Sequence, residues 1–135
     1  MIRFHVKLGA IAAVAATGVT LVLSPGGFAS IGRAEAEARS VAREFFRTIN
    51  ARQYAQTCDL LSAAYLERYH IPSKEHCVTG LRISFMWSQE IRFRITGVTV
   101  HADWAVVRSL ADGVPGRIVL RRERDGFRIL SIDGP

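Results

Sequence analysis

Apolar residues along this chain recur first with a helical period and then with a strand period, and the change falls near Trp87. From Arg33 to Asn50 the positions Ala38, Val41, Phe45 and Ile49 are spaced three or four apart, with Arg39, Arg43, Glu44 and Arg47 between them. That spacing gathers the apolar side chains on one stripe of an amphipathic helix. A second helix is predicted from Gln53 to Tyr69, where Tyr54, Cys58, Leu61 and Tyr65 repeat the pattern and turn Cys58 toward the core. Ile71-Pro72 ends it, because the residue before a proline disfavours the α region. Ser73 is a suitable N-cap for a third helix, although His76 stands where a capping box would have Glu or Gln. On that helix Cys77, Leu81 and Phe85 share a face with Val78 beside them, so Cys77 also points inward.

After Trp87 the alternation is that of strands. Ile91, Phe93 and Ile95 alternate with Arg92 and Arg94, Gly97 interrupts, and Val98 and Val100 resume in shifted phase, which predicts a β-bulge. His101-Ala102-Asp103 predicts a turn, followed by a strand from Trp104 to Leu110 and a turn at Asp112-Gly113. A third strand from Gly116 to Arg122 sets Ile118 and Leu120 against Arg117, Val119 and Arg121, and Asp125-Gly126 predicts a hairpin before a last strand, Phe127 to Ile132. Helices segregated from antiparallel strands predict an α+β fold: three N-terminal helices packed on a curved four-stranded antiparallel sheet.

The segments Ala42-Arg43-Glu44-Phe45-Phe46, Tyr54 with Cys58, Leu60 and Leu61, Leu120-Arg121-Arg122 and Gly126-Phe127-Arg128-Ile129 follow one another in this order. In them the chain resembles the nuclear transport factor 2-like superfamily, the cystatin-like cone, in its short exported bacterial form. The resemblance implies a cone-shaped α+β barrel whose open end can hold a ligand. Some members, such as ketosteroid isomerases and SnoaL-like cyclases, use an Asp, His or Tyr inside the cavity, whereas others are association domains or accessory modules on envelope proteins. Fold alone does not choose among these roles.

The N-terminus changes the picture of where the domain works. Arg3, His5 and Lys7 precede an apolar run from Leu8 to Leu23, which breaks at Ser24, Pro25, Gly26 and Gly27. This is the layout of a secretory signal, with Gly27 and Ala29 as the small residues that a signal peptidase requires. The expected division is therefore 1–29 as signal peptide and 30–135 as a single domain, secreted or, if the segment stays as a transmembrane anchor, membrane-anchored and facing outside. Two cysteines in an oxidising compartment predict a bridge between Cys58 and Cys77, closing a loop that contributes on the order of 3 kcal/mol.

Net charge is +6, and after Ala29 the cations are arginines apart from Lys74. Arg92, Arg94, Arg117, Arg121 and Arg128 alternate with apolar residues, which predicts a shared outer sheet face, either solvated or binding anions in bidentate fashion. The partners this suggests are an envelope protein, an anionic lipid or a wall polymer. Nucleic acid is not expected, since the face is read as lacking stacked aromatics. Self-association through the sheet, as a homodimer, is a further expectation. Tyr54, Tyr65, Phe85 and Trp87 are the candidates for lining a ligand cavity, with Met86 beside Trp87.

Catalytic chemistry is thin. Asp103 with His101 falls at a predicted hairpin tip, where aspartate is an ordinary turn residue, and Asp59 falls on the solvent side of its helix. His70 and His76 lack the paired spacing of zinc sites, and oxidation would consume Cys58 and Cys77 as ligands. No metal, no cofactor and no catalytic set is therefore predicted. The expected function is an exported, non-enzymatic domain binding a small apolar ligand or an envelope partner; the alternative is a small cavity enzyme of isomerase, dehydratase or cyclase type.

Overall fold

The computed structural model describes residues 25–134. The chain divides into two compact units, Met1–Arg33 and Ala34–Pro135, and the packing below belongs to the second. Arg3, Lys7 and the apolar run 8–23 lie outside the described residues.

The first helix, α1, is Pro25–Asn50 and begins well before the expected Arg33. Proline fits a first helical turn, where its missing N–H is no loss, and the Ala, Glu and Arg residues that follow are strong helix formers. The second predicted helix is two: α2 (Tyr54–Asp59) and α3 (Ala63–Arg68). Between them the chain pairs with the last strand. Ser62 N–H donates to the Ile129 carbonyl and Ile129 N–H donates to the Leu60 carbonyl, each at 2.8 Å. Ser62 is extended, and its side chain caps α3 by accepting from Tyr65 N–H at 3.0 Å. A long-range backbone pairing thus overrides a local helical period. The third predicted helix is α4 (Lys74–Phe85), capped by Ser73 as expected. His76 takes part after all, with Nδ1 2.7 Å from the Ser73 hydroxyl.

Four strands follow: β1 (Phe93–His101), β2 (Trp104–Ala111), β3 (Val114–Glu123) and β4 (Gly126–Asp133). They form an antiparallel meander in the order β1-β2-β3-β4. Register slips between Ile95 and Gly97 against β2, as the phase shift at Gly97 predicts. A second slip, unpredicted, falls between Val119 and Leu120, where Leu130 is the extra residue of β4. Such bulges increase twist and bend the sheet. Asp112 and Gly113 both take positive φ, 50° and 82°, as a tight hairpin turn requires. The last hairpin differs from expectation by one residue, because Gly126 pairs with Glu123 and the loop is Arg124-Asp125. Gly126 holds φ at 114°, and an added Cβ would collide with the Glu37 carboxylate. That carboxylate serves the sheet edge: Glu37 accepts from Phe127 N–H at 3.1 Å and from Arg122 at 3.2 Å.

The core lies between the helices and one sheet face. Ala38, Ala42, Phe45, Phe46 and Ile49 of α1 pack with Ala105, Val107, Ile118, Leu120, Phe127 and Ile129. The rings of Phe46 and Phe93 stack at 4.6 Å. Buried Cys58 and Cys77 form the expected disulfide, with Cα atoms 6.1 Å apart, and so fasten α2 to α4. Asn50 closes α1 by a reciprocal pair: its Nδ2 donates to the Ile91 carbonyl and its Oδ1 accepts from Ile91 N–H, both at 2.9 Å. This side chain stands in for a strand partner just ahead of β1.

Candidate ligand cavity

At one end of the second unit the helices and the inner sheet face part to leave a cavity of about 610 Å³. Its wall is chiefly apolar. Phe45, Phe46 and Ile49 come from α1, Leu81 and Phe85 from α4, and Ile118 and Ile132 from the sheet. Leu61, Tyr65 and Ile91 add the connecting segments. These residues meet because each element's core stripe continues past the point where the facing element covers it.

The polar groups of the wall are few. Ser109 is buried, and Ser84 donates to the Gly80 carbonyl at 2.8 Å. The phenol of Tyr65 is half-buried, and burial, with the Tyr69 phenol beside it, pushes its pKa above the ordinary tyrosine value. Asp112 and Asp133 are exposed residues of the rim. Asp112 Oδ1 accepts from Arg92 N–H at 2.9 Å, and Asp133 pairs with Arg117 at 3.2 Å. Neither carboxylate stands inside the apolar wall.

No family model matches the chain, and no curated protein matches it significantly. Solved structures do. A candidate dehydratase of the nuclear transport factor 2-like family from Streptomyces avermitilis superposes with a TM-score of 0.59 at 14% identity, covering 76% of this chain and 95% of that one. A domain of unknown function with a cystatin-like fold from Nostoc punctiforme gives 0.56 at 14% identity, covering 76% of each chain. A candidate calcium/calmodulin-dependent protein kinase type II association domain from Thiobacillus denitrificans gives 0.54 at 15% identity, covering 71% of this chain and 91% of that one. The fold is the nuclear transport factor 2-like, cystatin-like cone.

Of the residues expected to line the cone, Tyr65 and Phe85 do so. Tyr54 does not. It is buried against a separate small recess of about 50 Å³ beside Ile49, Asn50 and Ser88, and its hydroxyl has no hydrogen-bond partner among the described residues. Trp87 does not either: it is 89% exposed, because α4 ends at Phe85 and the chain turns outward. Met86 is exposed as well. Ile118 is legible in the sequence as an inward position but not as cavity wall, since period shows the face and not the depth, and Ile132 turns inward only because the extra residue Leu130 shifts the phase of β4. His101 and Asp103 lie at the β1–β2 hairpin, away from the cone's mouth residues. Among the described residues, no three His, Cys, Asp or Glu side chains gather as a metal site, and no helix is long and apolar enough to cross a membrane.

Of the expected anion surface, Arg94, Arg117 and Arg121 lie on strands with Arg128, all opposite core positions. Arg92 precedes β1, and its backbone is engaged by Asp112. Arg108 joins the face unpredicted. The face also carries one aromatic side chain that the sequence pattern did not place there: Trp104 is 44% exposed, with its ring 5.0 Å from that of His101 and tilted against it. The sequence predicts a turn at His101 and a strand start at Trp104, and the register of β1 against β2 places the two side by side.

Proposed function

We propose that the cone is an exported binding domain, and that it takes a small apolar or amphiphilic ligand into the cavity rather than transforming it. The observation that carries this reading is the chemistry of the wall: about 610 Å³ lined mainly by aromatic and branched aliphatic side chains. That volume is of the size that encloses small organic ligands. A general base would have to stand within reach of the substrate and away from water. The rim carboxylates Asp112 and Asp133 are exposed and already engaged, so binding is better supported than catalysis. Export is supported by the disulfide between Cys58 and Cys77, which suits an oxidising compartment.

The test is a fluorescence titration with cis-parinaric acid, a polyene fatty acid that brightens in apolar surroundings. Saturable one-to-one enhancement is expected. Ser84→Trp, at an exposed wall position, should plug the cone and abolish the signal while circular dichroism stays unchanged. Enhancement that survives this substitution undiminished would place the probe elsewhere and remove the proposal.

A further inference from the structure

The sheet face turned away from the helices carries a second, separate arrangement. Its register sets His101, Trp104, Arg121 and Arg128 in one row across all four strands. Two residues further along lies a row of Thr99, Val106, Val119 and Ser131, and beyond it a row of Gly97, Arg108, Arg117 and Asp133. Arg94 stands beside Leu110 past that. Gly97 is where Arg108 lies across the sheet, since an added Cβ there would collide with the guanidinium.

The charges on this face are uneven: against Arg94, Arg108, Arg117, Arg121 and Arg128 stand Asp133 and, two residues beyond Arg121 on β3, Glu123. Among the described residues, Arg117 is the one of these arginines that meets a carboxylate, Asp133 at 3.2 Å, and both side chains are more than half exposed. Arg108 donates to the neutral Thr99 hydroxyl at 3.1 Å, and Arg128 to the Phe127 carbonyl at 3.2 Å. Arg94 and Arg121 have no side-chain partner among the described residues. Arg108 is directly opposite Arg117, and Arg121 directly opposite Arg128. Like charges so placed destabilise a sheet. A face needed only for solubility is better served by interspersed signs.

We propose that this face docks on an anionic phospholipid bilayer. Four strands spaced about 4.8 Å apart make the patch as broad as it is long. Cations in two rows, parted by a row with Val106 and Val119, match a charged surface rather than a linear polymer, which a single stripe would follow. Trp104, half-exposed beside His101, is an amphipathic ring of the kind that sits at headgroup level. A second copy is the poorer occupant, because a two-fold contact would set the arginines of one face against the same arginines of the other.

The experiment uses the full chain carrying Trp87→Phe, so that Trp104 is the one tryptophan left. Vesicles of phosphatidylglycerol and phosphatidylcholine should shift Trp104 emission to the blue, and raising salt should reverse the shift. Pure phosphatidylcholine should not produce it. Arg121→Gln with Arg128→Gln should weaken binding by about twentyfold or more, since each arginine near an anionic surface contributes roughly a fivefold factor. Circular dichroism and parinaric acid binding report that the variant is folded. No shift with phosphatidylglycerol, or equal binding by the variant, overturns the proposal. So does binding of soluble polyphosphate without binding of vesicles, or a lipid-free dimer in sedimentation that buries Trp104.

Discussion

Replacing Asn50 by alanine should loosen the one point at which the last residue of α1 holds the approach to β1. Its carboxamide makes two hydrogen bonds to the backbone of Ile91, both 2.9 Å long, and Ile91 is itself part of the cavity wall. Asn50→Ala leaves the N–H and carbonyl of a half-buried residue without partners. Each such loss costs about 1 kcal/mol where water can reach part of the way, so the pair costs about 2 kcal/mol. For a domain of roughly a hundred residues, with a urea slope of about 1.3 kcal/mol per molar, the midpoint should fall by about 1.5 M. Asn50→Asp keeps the acceptor but faces the Ile91 carbonyl with a carboxylate oxygen, so it should not recover the loss. The affinity for parinaric acid should fall too, because Ile91 is no longer held in place. A midpoint within about 0.3 M of the parent, measured by circular dichroism, would refute the role given to this pair.

Removing the bridge with Cys58→Ala and Cys77→Ala frees a loop with a sequence separation of 19, which costs about 3 kcal/mol and lowers Tm on the order of 15 °C. An unchanged thermal transition would contradict this. Tyr65 should ionise above the ordinary tyrosine range, and the sign follows from its raised pKa. Its contribution to stability is fully present below the unfolded value near about 10 and declines as pH rises through the folded pKa. An ultraviolet titration compared with Tyr65→Phe checks it; a phenol that ionises with the exposed ones contradicts it. Gly126→Ala should destabilise by about 2 kcal/mol, through its positive φ and the displacement of Glu37 from Phe127 N–H, whereas Gly113→Ala, with open space around it, should cost about 1 kcal/mol in the same urea assay.

The parts of the fold legible in the sequence were those set by local rules. The Ser73 cap, the Gly97 phase shift and the Asp112-Gly113 turn each report chemistry within a few residues, and each stands where expected. Cys58 and Cys77 were placed inward by period alone. What failed depended on distant partners. The break at Leu60–Ser62 exists because β4 offers Ile129, sixty-odd residues away. The same holds for Glu37, whose role is visible only when Phe127 comes beside it. Trp87 is expected at the cavity, yet the helix stops two residues before it and leaves it exposed. Trp104 and Arg108 joined the outer face through register, which single-strand alternation cannot supply.

The cone as an apolar receptor is tested most directly by methyl nuclear magnetic resonance during titration with dodecanoate. Saturable shifts are expected at the methyl groups of the cavity wall, among them Ile49, Leu61, Leu81, Ile91, Ile118 and Ile132. Shifts at Val106 and Val119 on the opposite face of the sheet, with the six wall residues unmoved, would contradict it.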